Sequence, residues 1–199
     1  MIANFRPISL CNVSYKIITK APSSRLRNMM KELISPFQSN FIPGRGTLDN
    51  ILVLQELIHS IKKLKSKKGS MVLKIYLEKV YDRVNWGFLK HTLEFFNFPP
   101  RITRLIIECV SSSCPRILWN GEPLKHIHPT CDLRQGDPLS PYLFVLCMER
   151  LAYMIEEETG NGGWKPTALC RKGPRISHLL FADDLILTSN CEVVSGRAI

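Results

Sequence analysis

Apolar residues recur at helical spacing in several stretches of the chain and in short continuous runs elsewhere. Ile51, Leu54, Ile58 and Ile61 follow the three-and-four spacing of one helix face. This predicts an amphipathic helix that ends in the basic run "KKLKSKKGS". "MVLKIYL" (71–77) has strand length and predicts a buried strand. Helices are predicted around 85–95 and 101–110. "RILWNGEPLKHIHP" predicts a hairpin turning at Asn120-Gly121, because that dipeptide tolerates two positive φ angles. In "QGDPLSPYLFVLCMERLAYMIEEE", Ser140 suits an N-cap and Pro141 the first helical position. The first half of that helix is apolar nearly all round, so it is expected to be deeply buried.

"RISHLLFADDLILTS" reads as two short apolar strands around Ala182-Asp183-Asp184. Near the start, "FRPISLCNVSYKIITK" is expected to be extended and to pass into a helix over "APSSRLRNMMKELI". Leu26, Met29 or Met30, and Leu33 carry that helix's period, and Pro22 is expected to kink or delay it. "SPFQSNFIPGRGTLDN" is a loop by its Pro and Gly content. Strands and helices alternate irregularly, with hairpins. The predicted class is therefore α+β, a mixed or antiparallel sheet with helices on one side.

Composition narrows the picture modestly. The 199 residues are 45% hydrophobic and 22% charged, enough for one substantial domain and unlike a disordered or fibrous chain. The net charge of +10 suits a polyanionic partner, although it also serves plain solubility. The 7 cysteines include no CxxC spacing, and reduced thiols without disulfide partners are expected. No apolar run reaches membrane-spanning length, and "MIANFRPISL" lacks the pattern of a leader. An intracellular protein, nuclear or cytoplasmic, with no membrane partner is expected. His126 and His128 share a face of an apparent strand, but two histidines without further ligands make no zinc site.

The most specific chemistry lies in "HLLFADDLILTS". An Asp pair in a hairpin turn is ordinarily solvated or bonded to backbone. Here the flanks are too apolar for an exposed tip. Adjacent like charges at low dielectric stay ionised only when cations compensate them. A two-metal nucleotidyl-transfer site meets that need, with two Mg²⁺ about 3.5–4 Å apart. Mg²⁺ takes oxygen ligands, so a further carboxylate is needed from a neighbouring strand.

"FADDL" (181–185), "LRQGDPLSPYLF" (133–144), "KIYLEKVYDRVNW" (74–86), "FIPGR…DN" (41–50) and "FRPISLCNVSYKIITK" (5–20) together resemble the reverse transcriptase domain of non-LTR retrotransposons. The likeness is to LINE-type elements such as those abundant in plants, and it runs over residues 4–190. It implies a right-hand polymerase with fingers and palm, the antiparallel palm sheet backed by helices. Residues 1–70 would be fingers-like, 71–190 palm-like with some finger elements, and 191–199 an irregular tail, with the thumb absent. The implied activity is RNA-directed DNA synthesis on an RNA template and a DNA primer from dNTPs, with two Mg²⁺. Asp183 takes the position of the metal-binding acid and Asp184 that of its neighbour. The Leu77 carbonyl is a further implied metal ligand.

One position departs from this pattern in the place that matters most. The family reads Lys-(Ile/Leu)-Asp-Leu-Glu-Lys-Ala-Tyr-Asp-Arg-Val where this chain runs from Lys74 to Val84. The metal-binding Asp falls on Tyr76, and a phenol is a far weaker ligand for a hard cation. Glu78 could share the face of Tyr76, but displaced by about 6–7 Å along a strand. Asp82 matches a structural acid, pairing with Arg83 or capping a helix near Asn85-Trp86. Weak or absent polymerase activity is expected; the alternatives are an inactive nucleic-acid-binding module or a non-functional relic of a truncated element.

The resemblance assigns substrate-binding roles to Arg6, Tyr81, Arg134, Gln135 and Gly136. Arg6 would hold a triphosphate, and Tyr81 would lie under the incoming sugar unless it is simply a core aromatic. Gln135 and Gly136 would line the nucleotide pocket; Arg134 could equally be a solvated surface residue. Pro43, Gly44 and Arg45 would form a basic loop near the template. Lys62, Lys63, Lys65, Lys67 and Lys68 either meet a nucleic-acid backbone or form a solvated face. His178 would satisfy a buried polar contact. Cys131 and Asp132 replace the family's Arg-Gly, and loss of that Gly is expected to strain the turn.

Overall fold

The computed structural model describes residues 10–63, 69–112, 114–170 and 173–190. In chain order the elements are α1 (Val13–Leu33), α2 (Thr47–Lys63), β1 (Ser70–Tyr76), α3 (Trp86–Phe95) and α4 (Pro100–Ser111). Then come β2 (Leu118–Trp119), β3 (Glu122–Pro123), α5 (Ser140–Gly160), β4 (Thr167–Ala168), β5 (Arg175–Ile176), β6 (His178–Phe181) and β7 (Asp184–Asn190). They form two compact units: Met1–Leu33 with Lys79–Cys147, and Ile34–Glu78 with Met148–Ile199.

In the first unit, α1 begins earlier than its apolar period suggests. Asn12 caps it, its Oδ1 accepting from Tyr15 N at 2.7 Å. The helix continues through Pro22 without stopping, which overturns both the extended reading of residues 13–20 and the delayed start. Its buried stripe is Thr19, Ser23, Leu26 and Met30. Two hydroxyl residues open that stripe, so hydrophobicity marks only its second half. Ser23 stays buried because its Oγ donates to Pro138 O at 2.9 Å.

α3 is capped by Asn85, whose Oδ1 accepts from Gly87 N and Phe88 N at 2.8 and 3.1 Å. Asn85 rather than Asp82 supplies this cap, which was one of the two roles expected of Asp82. α4 starts on Pro100, and its buried face is Thr103, Ile106, Cys109 and Val110. The β2–β3 hairpin turns at Asn120 and Gly121 with φ of 51° and 85°, as a primed turn requires. The chain after Pro123 is irregular, so His126 and His128 stand on no strand. α5 begins at Ser140 itself rather than being capped by it. Asp137 Oδ1 accepts from Leu139 N at 3.1 Å just ahead of it. Leu143 to Met148 are all buried, as the apolar run requires.

In the second unit the sheet order is β1-β7-β6, antiparallel throughout. β7 is central and buried from Leu185 to Ser189. β1 is an edge strand of alternating exposure, which corrects the fully buried reading of 71–77. α2 covers the sheet through Leu57, packed with Ile176, Leu179 and Ile186. Leu54 and Ile61 pack against this cluster as the period predicts, while Asn50 and Leu57 are the helix's buried residues and Ile58 is 36% exposed. Asn50 is held inside by donating to Phe37 O at 2.7 Å and Leu180 O at 3.3 Å.

The "PGR" loop is fixed by its arginine. Arg45 donates to the carbonyls of Ile34, Ser35 and Gln38. Beside it, buried Glu149 accepts from Ser35 N at 2.9 Å, and burial pushes its pKa up. The loop arginine therefore has a folding role that the template-facing expectation omitted.

Candidate functional site

The Asp183–Asp184 hairpin closes on the pair Phe181↔Asp184, leaving Ala182 and Asp183 as its turn. Ala182 sits at φ 55°, a region unfavourable to any residue with a Cβ. The turn is tied to the end of β1, where Leu77 N donates to Asp183 O at 3.1 Å. Antiparallel register sets Tyr76 directly opposite Asp184. Tyr76 thus lies beside the acid pair.

Charge at this point is balanced by a residue the motif reading passed over. Lys74 Nζ lies 3.0 Å from Asp184 Oδ2. The signal was present, because Lys74 is two residues before Tyr76 and shares its face. Asp184 Oδ1 is buried without a hydrogen-bond partner among the described residues. β1 ends at Tyr76 and Glu78 lies in the following turn, so Glu78 does not continue the face of Tyr76.

Reading the donors as a magnesium site gives a poor fit. Among the described residues no group of 3 or more His, Cys, Asp or Glu side chains could hold a metal ion. Two carboxylates, one of them salt-bridged, do not supply the oxygen donors that a pair of Mg²⁺ needs.

In the first unit, the Tyr81 ring stacks on Phe144 with centroids 4.3 Å apart. Leu133 N donates to Tyr81 O at 2.9 Å, joining "LRQGDP" to the turn after β1. Arg134 lies with its guanidinium 4.3 Å over the Tyr15 ring. Its Nη2 donates to Cys109 O and Val110 O at 3.2 and 3.3 Å, closing the end of α4. The Tyr15 hydroxyl lies 2.9 Å from Asp137 Oδ2 and from Cys109 O, and burial with the Asp137 charge raises its pKa. Tyr15 and Asp137 belong to this cluster; each lies within a block that carries the resemblance, but neither is among the site residues it assigns. Gln135 is half-buried, and Gly136 is exposed at φ 101°, which glycine alone adopts easily.

Asp132 sits at φ 122°, so the expected strain at the lost glycine is present. It is held there by Asp132 N donating to Val84 O at 3.0 Å and Trp86 Nε1 donating to Asp132 O at 2.9 Å. Burial, and then the Asp82 charge, push its carboxyl up to about 6.

His178 is fully buried, bonded through Nδ1 to Ser177 Oγ at 2.9 Å, and burial lowers its pKa to about 4. His128 Nδ1 is 3.5 Å from Cys114 Sγ, and both are exposed. Arg6, Lys65, Lys67, Lys68 and the tail 191–199 lie outside the described residues.

Residues 2–196 match the family model described as reverse transcriptase (RNA-dependent DNA polymerase). The chain belongs to the reverse transcriptase family. It is 30% identical over 200 residues to the transposon TX1 uncharacterized 149 kDa protein of Xenopus laevis, covering 100% of this chain and 15% of that protein. It is 26% identical over 193 residues to the Pol polyprotein of the type-1 retrotransposable element R2 of Popillia japonica, covering 96% and 26%. An uncharacterized mitochondrial protein of Arabidopsis thaliana is 48% identical over 65 residues, 33% of this chain and 53% of that one.

The reverse transcriptase chain therefore spans well under two thirds of each of these relatives. The fold is likewise that of a right-hand polymerase. An apo telomerase from Candida tropicalis, truncated from its C-terminal domain, superposes with a TM-score of 0.61 at 12% identity, over 90% of this chain and 35% of that one. Telomerase in complex with a fragment of telomeric RNA gives 0.55 over 92% of this chain and 29% of that one. Reverse transcriptases generally use Mg²⁺. Among the described residues no helix is long and apolar enough to cross a membrane.

Proposed function

We propose that this reverse transcriptase domain binds an RNA template with a DNA primer and dNTP, and that its nucleotidyl transfer is severely weakened by Tyr76. The observation that carries this is the register Tyr76↔Asp184. A carboxylate at residue 76 would stand beside the acid pair and complete the donor set for Mg²⁺. A phenol there is a far weaker ligand for a hard cation, and Asp184 is already paired with Lys74, which leaves the site short of charge for two divalent ions.

In this reading 1–70 is fingers-like and 71–190 palm-like. Tyr81, Gln135 and Gly136 shape the nucleotide pocket and Arg6 meets the triphosphate. Arg134 serves that pocket by fixing the backbone between α4 and "LRQGDP". The Lys74–Asp184 ion pair favours a second reading, a binding module that keeps the scaffold without chemistry. Incorporation of dNTP on a primed RNA template decides between them. The first reading expects weak incorporation that rises on Tyr76→Asp. Hybrid binding with no incorporation by either form supports the second.

A further inference from the structure

At the end of the sheet remote from the acids lies a cavity of about 320 Å³, within the range that admits a small ligand group. Ser60, Lys63, Thr167, Arg175 and Asn190 line it. All belong to the second compact unit. Ser70↔Asn190 and Tyr76↔Asp184 are opposite ends of the same strand pairing, so the cavity is about 20 Å from Asp184 along the sheet. It cannot be part of the acid site.

Its chemistry has one sign. Of the described residues lining it, Lys63 and Arg175 are cationic and none is acidic. Thr167 is 1% exposed, and its Oγ1 is buried with no hydrogen-bond partner among the described residues. A buried hydroxyl without a partner is costly unless a ligand or water supplies one.

We infer that this cavity holds a backbone phosphate of the nucleic acid, a second contact that anchors the strand far from the acids. The inference rests on the nucleic-acid binding proposed above. Arg175 and Lys63 supply the charge, and Ser60, Asn190 and Thr167 supply neutral groups able to bond phosphate oxygens. Contacts of this kind fix position without reading sequence.

The test titrates a labelled RNA–DNA hybrid against the full chain at several salt concentrations. Lys63→Gln/Arg175→Gln should reduce the slope of log K against log salt by about 1. Lys125→Gln, an exposed lysine outside the cavity, should leave the slope unchanged. Thr167→Val should weaken binding a few-fold without altering the slope. Thermal melting of each variant shows that it is folded. An unaltered slope in the double variant, or an equal change in Lys125→Gln, overturns the inference while leaving the functional reading standing. Protection of the cavity by inorganic phosphate alone, with hybrid binding unaffected, also overturns it. Failure of the unmodified chain to bind hybrid at low salt defeats both readings.

Discussion

Tyr76 and Asp184 face each other across neighbouring antiparallel strands, Tyr76 on the edge strand and Asp184 at the start of the central one. The opposition makes the effect of Tyr76→Asp calculable in sign. Without divalent ions the new carboxylate meets a like charge directly across the ladder, which destabilises by up to about 1 kcal/mol. With Mg²⁺ the same pair becomes a ligand set. The variant should melt below the unmodified chain in chelator and recover on Mg²⁺ addition, while the unmodified chain responds little. If incorporation is restored as well, a gain of about 100-fold corresponds to nearly 3 kcal/mol of transition-state stabilisation. Melting curves with and without Mg²⁺ separate the structural from the catalytic consequence.

Lys74 is the counter-charge that Asp184 has now. The pair is 3.0 Å apart, with side-chain exposures of 63% and 31%. Solvent screens an interaction this exposed, so Lys74→Met should cost about 0.2–1 kcal/mol. A double-mutant cycle with Asp184→Asn, read by urea unfolding, should return a coupling of that size. A coupling near zero would mean that the ion pair has no energetic role in holding the hairpin.

The contrast between these two residues shows what could be read from the chain alone. "FADD" and the strand ending at Tyr76 were legible because apolar runs and motif spacing fix both position and neighbour. Lys74 was not singled out, since a lysine on an edge strand is usually a solvated residue. The first helix was misjudged for a different reason. Its buried stripe opens with Thr19 and Ser23, whose burial depends on hydrogen bonds formed with distant chain or the preceding turn. The Arg134–Tyr15–Asp137 cluster joins residues more than a hundred positions apart, and no local period encodes it.

Asp132→Gly should stabilise the protein. A φ of 122° disfavours a side chain and suits glycine, and relief of such strain is worth about 1–3 kcal/mol. The carboxyl adds a pH dependence. Its pKa is raised to about 6 in the fold, above the ordinary carboxylate value, so the native state holds its proton longer than the unfolded chain. Stability is therefore lost as pH rises from the unfolded value through about 6. Asp132→Gly removes that loss, so its advantage should be larger at pH 7 than at pH 4. Asp132→Asn should remove the pH-dependent part and keep the backbone strain. Thermal melts of the three proteins across that interval check both components.

His178 titrates with the opposite sign. Burial lowers its pKa to about 4, so the ring is neutral in the fold at pH 7. An unfolded chain takes up the proton near pH 6.5, and the native state resists it until about 4. The unfolded state binds more protons in this interval, and stability falls as pH drops through it. The ring packs edge-on to Phe37 at 5.0 Å, so His178→Phe keeps much of its aromatic volume. The replacement leaves Ser177 Oγ without its 2.9 Å partner, which should cost about 1–3 kcal/mol at neutral pH. Below pH 6 the loss should shrink, since the unmodified protein is then itself weakened by the histidine. Urea unfolding at pH 7 and pH 5 checks this. Equal losses at the two pH values would show that His178 takes up no proton on unfolding and that its burial is electrostatically silent.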